Sequence, residues 1–393
     1  MPLYFKHAKG ARLTDVDGNE YVDFVCGFGP VILGHGHEEV CAAAARGARN
    51  VQQTGGQHLA EVELAEAIAG TVPSVETVRF STTGSEAVHG ALRLARAVTA
   101  KNLVVKFASH YHGWLDGVFH TIGAMPPGLP DGAGVATGSS ADVVVVEWGD
   151  ETALEELFRR AGKAIAAVIM EPLPCNQGVF YPPDGFLEAA RRITAEYGAL
   201  LVFDEVITGF RIGLGGAQGL FSVTPDITVL AKSMANGFPL SAFGAGHDLM
   251  GMVARNEAVH AGTYNGGGSS VAAGLATIEA LCRDEGHYER MERLGSRLKA
   301  GLESSAKVHG LNLQTRGPGP VFYAWFTDGR MVDSLSDHLK ADMALYTRFA
   351  ELMLDEGVRI IPAGRWYLTT AHEDPEIDRA LEAADSSLAR LSG

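Results

Sequence analysis

Apolar residues recur at two periods along this chain, and the way those periods alternate predicts its architecture. In HLAEVELAEAIAG (58–70) and SEAVHGALRLARAVTA (85–100) they return at helical spacing. ETALEELFRRAG (151–162) and DGFLEAARRITAEYG (184–198) read the same way, as helices with one apolar face. Short apolar runs lie among them: NLVVKF (102–107), DVVVVEW (142–148), AIAAVIM (164–170), LLVFD (200–204) and ITVLA (227–231). Strands that lack polar alternation, separated by amphipathic helices, predict a mostly parallel sheet covered on both faces. Ahead of this block, ARLTDVDGNEYVDF (11–24) predicts a hairpin, because Asp17-Gly18 suits a tight turn. Beyond about residue 290 the strands thin out, and an α+β tail closes with the helix PEIDRALEAADSSLARL. Residues 121–140 form a long Gly/Pro/Ser-rich stretch, which in a compact domain points to a functional or mobile loop.

Composition then removes whole classes. The 393 residues, 46% of them apolar, can bury a large core without covalent staples. Mean hydropathy is +0.06, and no apolar run approaches the roughly 18 residues a membrane span needs. Lys6, Lys9, Arg12, Asp15 and Asp17 leave no room for a signal peptide in the opening segment. A net charge of −15 disfavours a nucleic-acid partner. Cys26, Cys41, Cys175 and Cys282 are scattered without a C-x-x-C pair, so neither a disulfide framework nor a structural zinc site is expected. The expected setting is reducing and cytoplasmic. His35-Gly-His37 and His110-Tyr-His112 lack a third ligand at a suitable spacing, and no metal is expected. Glycine is abundant, with 48 residues, against a usual share of about 7%.

Four features could carry chemistry. Asp204 ends a buried strand and is followed at once by Glu205; ligands of parallel sheets bind beyond such ends, although a helix cap or ion pair would use the same residues. Lys232 ends the run ITVLA; it either snorkels to the surface or, if buried, offers an amine suited to a Schiff base. Thr82, Thr83, Gly84 and Ser85 sit between a short strand and an amphipathic helix, as a phosphate cradle or an ordinary N-cap. Tyr111 and His112 follow another strand, where an aromatic can stack on a planar ligand or close the core. The P-loop, H-E-x-x-H and G-x-S-x-G patterns are absent, and GLGGAQG misses the dinucleotide fingerprint. An amine, a strand-end acid, an anion site and a stacking aromatic together match pyridoxal 5'-phosphate.

At these residues the sequence resembles the class III (ω-type) aminotransferases, pyridoxal-phosphate enzymes of fold type I, from about residue 10 to 380. LLVFDEVITGFR (200–211), PDITVLAKSMANGFPLSAFG (225–244) and GTYNGGGSSVAAG (262–274) are similar to the family's characteristic blocks. CGFGPVILGH, SHYHGW and EPLPCNQG resemble the subgroup of glutamate-1-semialdehyde 2,1-aminomutase and β-amino-acid aminotransferases. The resemblance implies an α/β fold: a mostly parallel seven-stranded sheet in a large domain (41–290) and a small α+β domain from residues 1–40 and 291–393. It implies that Lys232 forms the Schiff base and moves the proton, while Asp204 pairs with the pyridine nitrogen. Gly84 and Ser85 take the phosphate, with Thr263 reaching it from the neighbouring subunit of a homodimer. Tyr111 stacks on the ring and Asn176 bonds near the phenolic oxygen. Glu171 supports them, and His112 and Val206 complete the cofactor set. Phe28 stands where the aminomutase has a pocket tryptophan, and stretch 121–140 coincides with its lid.

Two departures favour a transaminase moving an amino group between an amino acid or amine and a 2-oxo acid. The aminomutase's N-terminal segment, with its carboxylate-binding arginine, is not matched. AGRWYLTTAH (363–372) replaces a glutamate-containing stretch, and its Arg365 resembles the carboxylate-binding arginine of β-amino-acid aminotransferases. Gly266–Gly268 also replace the usual G-N-P. The alternatives are a 2,1-aminomutase and a pyridoxal-phosphate-fold binding protein that has lost catalysis.

Overall fold

The computed structural model describes residues 3–121, 132–136, 138–176, 178–284 and 286–393. Most of the proposed lid, residues 122–131 and 137, lies outside the described residues. The chain divides into two units. One comprises Met1–Ala42, Gln177–Phe180 and Ala280–Gly393; the other comprises Ala43–Asn176 and Tyr181–Glu279.

Among the described residues the chain opens with strands β1 (Phe5–Lys9), β2 (Arg12–Asp15) and β3 (Glu20–Asp23). The expected hairpin is β2 and β3, paired antiparallel. Gly18 takes φ +92 in the turn, where the Asp15 carboxylate accepts the backbone N–H groups of Asp17 and Asn19. The next seven strands are β4 (Thr77–Ser81), β5 (Leu103–Phe107), β6 (Val143–Val146), β7 (Ile165–Met170), β8 (Leu200–Glu205), β9 (Ile227–Leu230) and β10 (Ser241–Ala245). They form one sheet in the order β4-β10-β9-β8-β7-β5-β6. Every pairing from β9 to β6 is parallel, whereas β10 runs antiparallel to both β9 and β4.

Those strands are apolar on both sides because both faces are covered. Val104, Ala167, Ile169, Val202 and Val229 pack under the helix Gly84–Thr99. Their neighbours Val105, Val168, Met170, Leu201 and Phe203 pack against Phe158 and Phe186 of two helices on the opposite face. Successive side chains on a strand point to opposite faces, so each must meet a core. Burying a Val, Leu, Ile or Phe side chain contributes about 1.5–3 kcal/mol, which makes this sandwich the main source of stability.

The chain ends with β11 (Leu313–Arg316), β12 (Val321–Phe326), β13 (Val358–Arg359) and β14 (Arg365–Tyr367). β13 extends the first three strands into a four-stranded sheet, and β11-β12-β14 form a separate three-stranded one.

Candidate active site

Strand ends of the large sheet bring the chemistry together. Glu171 follows β7, Asp204 and Val206 sit at the end of β8, and Lys232 lies just past β9. Because β10 is reversed, Leu240 at its beginning reaches the same rim. These residues line a cavity of about 340 Å³ with Gly84, Ser85, Tyr111, His112 and Asn176. All nine cofactor residues expected from this unit, Thr263 apart, therefore share one space.

The helix at the floor of the cavity starts by a capping box. Thr83 Oγ1 accepts the Glu86 N–H, and the Glu86 carboxylate accepts the N–H groups of Thr82 (3.0 Å) and Thr83 (2.8 Å). The ordinary cap and the cradle are thus the same structure. Capping uses Thr83 and Glu86, which leaves Gly84 and Ser85 at the positive end of the helix facing the cavity. Gly113 closes over them: it holds φ +87, and a Cβ there would stand 2.4 Å from Ser85 Oγ. Sequence reasoning missed Gly113, although the glycine directly after Tyr111-His112 was its visible signal.

The two adjacent acids of β8 have different fates. One Asp204 oxygen accepts the Val206 N–H at 3.1 Å, and the other lies 2.7 Å from Nδ1 of His112. Asp204 and His112 are both buried. Glu205 faces away from the cavity and is used structurally. It accepts Thr208 Oγ1, the backbone N–H groups of Ala217 and Gln218, and Gln218 Nε2.

Glu171 shapes the opposite wall. Its carboxylate accepts the Tyr111 N–H at 2.8 Å, the Cys175 N–H at 3.2 Å and Asn176 Nδ2 at 3.3 Å. Burial, reinforced by the nearby Asp204 charge, raises its pKa above the ordinary carboxylate range, so it holds its proton more firmly. The Tyr111 phenol is likewise raised, first by burial and then by Asp204. Lys232 opens a short 3-10 turn with φ +47, a left-handed conformation that an L residue holds only under constraint. Lys232 lines the cavity.

Three expected residues lie elsewhere. Thr263 lines a different cavity of its own unit with Gln53 and Glu61. Its carbonyl accepts Gln53 Nε2, and the neighbouring Gly266 carbonyl lies 2.8 Å from His58 Nε2. Phe28 and Arg365 belong to the other unit. Phe28 is 56% exposed on a left-handed turn in which Cys26, Gly27, Phe28 and Gly29 all have positive φ. Arg365 opens β14 with its guanidinium carbon 5.6 Å from the Tyr367 ring centroid.

The residues present fit pyridoxal phosphate. Gly84 and Gly113 form a cradle that side-chain carbons would fill, a buried acid sits at one wall, and an amine shares the space. The sequence profile described as Aminotransferase class-III matches residues 1–385. The chain belongs to the class III aminotransferases. It is therefore a pyridoxal-phosphate-dependent enzyme of the fold-type I architecture. Among curated relatives, a glutamate-1-semialdehyde 2,1-aminomutase of Desulforudis audaxviator is 43% identical over 98% of this chain and 90% of the relative. Among solved structures, an omega-transaminase from Sphaerobacter thermophilus has a TM-score of 0.92 at 30% identity, covering 100% of this chain and 92% of that one. A β-phenylalanine aminotransferase from Variovorax paradoxus has a TM-score of 0.88 at 30% identity, covering 98% of this class III chain and 87% of the other.

Proposed function

We propose that this class III enzyme is a transaminase, moving an amino group from an amino acid or amine to a 2-oxo acid in two half-reactions. The observation that carries amino transfer is the shared cavity of Lys232, Asp204 and the helix start at Gly84-Ser85. The cofactor, when bound, supplies an aldehyde for amines and a ring that accepts electrons from the substrate carbon. Gly84 and Ser85 would hold its phosphate with backbone N–H groups and a hydroxyl. Asp204 would present its carboxylate to the ring nitrogen and favour a proton there. Tyr111 would stack on the ring and Asn176 would donate toward its phenolic oxygen, while His112 and Val206 orient Asp204. Glu171 fixes Tyr111 and Asn176 in one stroke. Lys232 is the amine that would hold the aldehyde, and its Nζ would carry the proton between substrate and cofactor.

The choice of a transaminase rests on Arg365 in AGRWYLTTAH, whose guanidinium fork suits a substrate carboxylate, including that of a β-amino acid. Phe28 is assigned to the substrate side. We further assign residues 41–290 to the cofactor domain and residues 1–40 with 291–393 to the small domain. Thr263 acts on the phosphate of a second copy in a cytoplasmic homodimer. A second reading, the 2,1-aminomutase, is supported by the 43% identity to the Desulforudis enzyme. Incubation with glutamate 1-semialdehyde alone, and separately with amine and 2-oxo-acid pairs, decides between them. The expected result is acceptor-dependent amine consumption. Rapid formation of 5-aminolevulinate without any acceptor overturns the transaminase reading.

A further inference from the structure

His112 has His110 as a ring neighbour, and His110 in turn has Trp148. Three buried ring nitrogens there have no hydrogen-bond partner among the described residues: Nε2 of His110, Nε2 of His112 and Nε1 of Trp148. Their rings are neighbours, with the His110 centroid 6.0 Å from that of His112 and 4.6 Å from that of Trp148. Native interiors rarely leave even one such atom unsatisfied, because each costs its full desolvation.

The surrounding bonds fix what each nitrogen can offer. The Glu171 N–H donates to His110 Nδ1 at 3.0 Å, so Nδ1 is the acceptor and the ring proton resides on Nε2. Burial holds His110 well below the ordinary histidine range, which keeps that ring neutral. Asp204 Oδ2 can only accept when ionised, so His112 Nδ1, 2.7 Å away, carries a proton. In the Nδ1–H tautomer, His112 has a lone pair on Nε2. Trp148 Nε1 can only donate. The cluster thus presents two donors and one acceptor. A cation needs lone pairs from all its neighbours, and only one is available. An anion would meet the lone pair of His112. A water molecule matches the set, accepting two hydrogen bonds and donating one.

We propose that His110, His112 and Trp148 hold a buried water, which fixes His112 in the Nδ1–H tautomer and so aims its hydrogen bond at Asp204. Water donates to His112 Nε2 and accepts from His110 Nε2–H and Trp148 Nε1–H. A polar line then runs from the Glu171 backbone through His110, water and His112 to the acid at the cofactor ring. His110 and Trp148 are positioning residues that act through His112. This consequence rests on Asp204 serving the ring nitrogen, but the water and the tautomers exist whichever amino-transfer reaction the enzyme performs.

The test uses the full-length enzyme loaded with pyridoxal phosphate. A high-resolution crystal structure should show one ordered water within hydrogen-bonding distance of His112 Nε2 and at least one of the other two nitrogens. Nitrogen-15 NMR should show His112 protonated at Nδ1 and His110 at Nε2. In Trp148→Phe, which keeps an aromatic ring and deletes the donor, pyridoxal phosphate should bind about three- to tenfold more weakly. His112→Asn retains a donor toward Asp204 and should bind the cofactor more tightly than His112→Leu. A dry cluster, an Nε2–H tautomer or a doubly protonated ring at His112, or equal binding by the Asn and Leu variants overturns the proposal. Aminomutase activity would refute the transaminase reading while leaving these readouts unchanged.

Discussion

Two buried polar networks flank the end of β8, one built on Asp204 and the other on Glu205. On the Glu205 side, Thr208, Ala217 and Gln218 donate four hydrogen bonds to the carboxylate. Gln218 Nε2 also reaches Thr228, whose hydroxyl lies 2.6 Å from that of Ser74. That network is closed and fastens the helix Gly216–Phe221 to the sheet. On the Asp204 side, the backbone N–H of Val206 and the ring of His112 engage the carboxylate, which still faces a cavity. Burial and sequence position are nearly the same for both acids. What separates them is capacity: a saturated carboxylate holds shape, and one with unused lone pairs can hold a ligand.

Substitutions can break this comparison from either side. The largest effect belongs to the amine that shares Asp204's cavity. Lys232→Ala should lower turnover by roughly 10⁴-fold or more while the protein stays folded, because nucleophile and proton carrier vanish together. Near-parental turnover in a steady-state assay would sink the assignment. Next come the acids themselves. Asp204→Asn should cost about 10²–10³-fold in turnover with little change in melting temperature. Glu205→Ala should do the reverse, losing about 3 kcal/mol or more of stability as several donors are left unpaired, with activity per folded molecule retained. Paired melts and kinetics read both, and like behaviour of the two variants would erase the distinction. A smaller effect is expected at the cradle. Gly113→Ala, strained at φ +87 and crowding Ser85, should weaken pyridoxal phosphate binding by about tenfold in a cofactor titration.

A last effect, read on stability rather than activity, carries the comparison into the other unit. There the Trp325 indole N–H donates to His338 Nδ1 at 2.8 Å, and burial pushes that imidazole down to about 4. Since the unfolded histidine titrates near 6.5, its neutral-state stabilisation is complete above that value and is lost as pH falls toward 4. Melts between pH 7 and 4.5 should show the parent losing up to roughly 2–3 kcal/mol from this group. His338→Gln, which keeps an acceptor for Trp325, should flatten the slope; an unchanged slope would remove His338 as its source.

Much of this was legible in the chain. The apolar runs 102–107, 164–170 and 200–204 coincide with β5, β7 and β8 because strands with two covered faces cannot hide their character. β10 was invisible as a pattern, since in SAFGA small residues surround a single Phe243, too little to mark a strand. Only the tertiary fit explains it: a Cβ at Gly244 would meet the Val75 side chain at 2.6 Å. Lys232 and Asp204 were readable because an amine and an acid contradict the strands they end. The division of labour between Asp204 and Glu205 was not, because it depends on which of two adjacent side chains meets the helix from 216 to 221. The orphaned nitrogens near His112 were equally hidden. Trp148 read as a strand residue, and His110-Tyr-His112 as a failed metal motif.

The reversed strand also sets an order in time. β4, which leads directly into the phosphate cradle, is an edge strand that, among the described residues, pairs only with β10. A ribosome makes roughly 5–20 residues each second, so β4 waits on the order of ten seconds or longer for its partner to be synthesised. Lys232 is made just before that partner. The nascent chain consequently carries an unpaired edge until its nucleophile is in hand, and the cofactor has nowhere complete to bind before then.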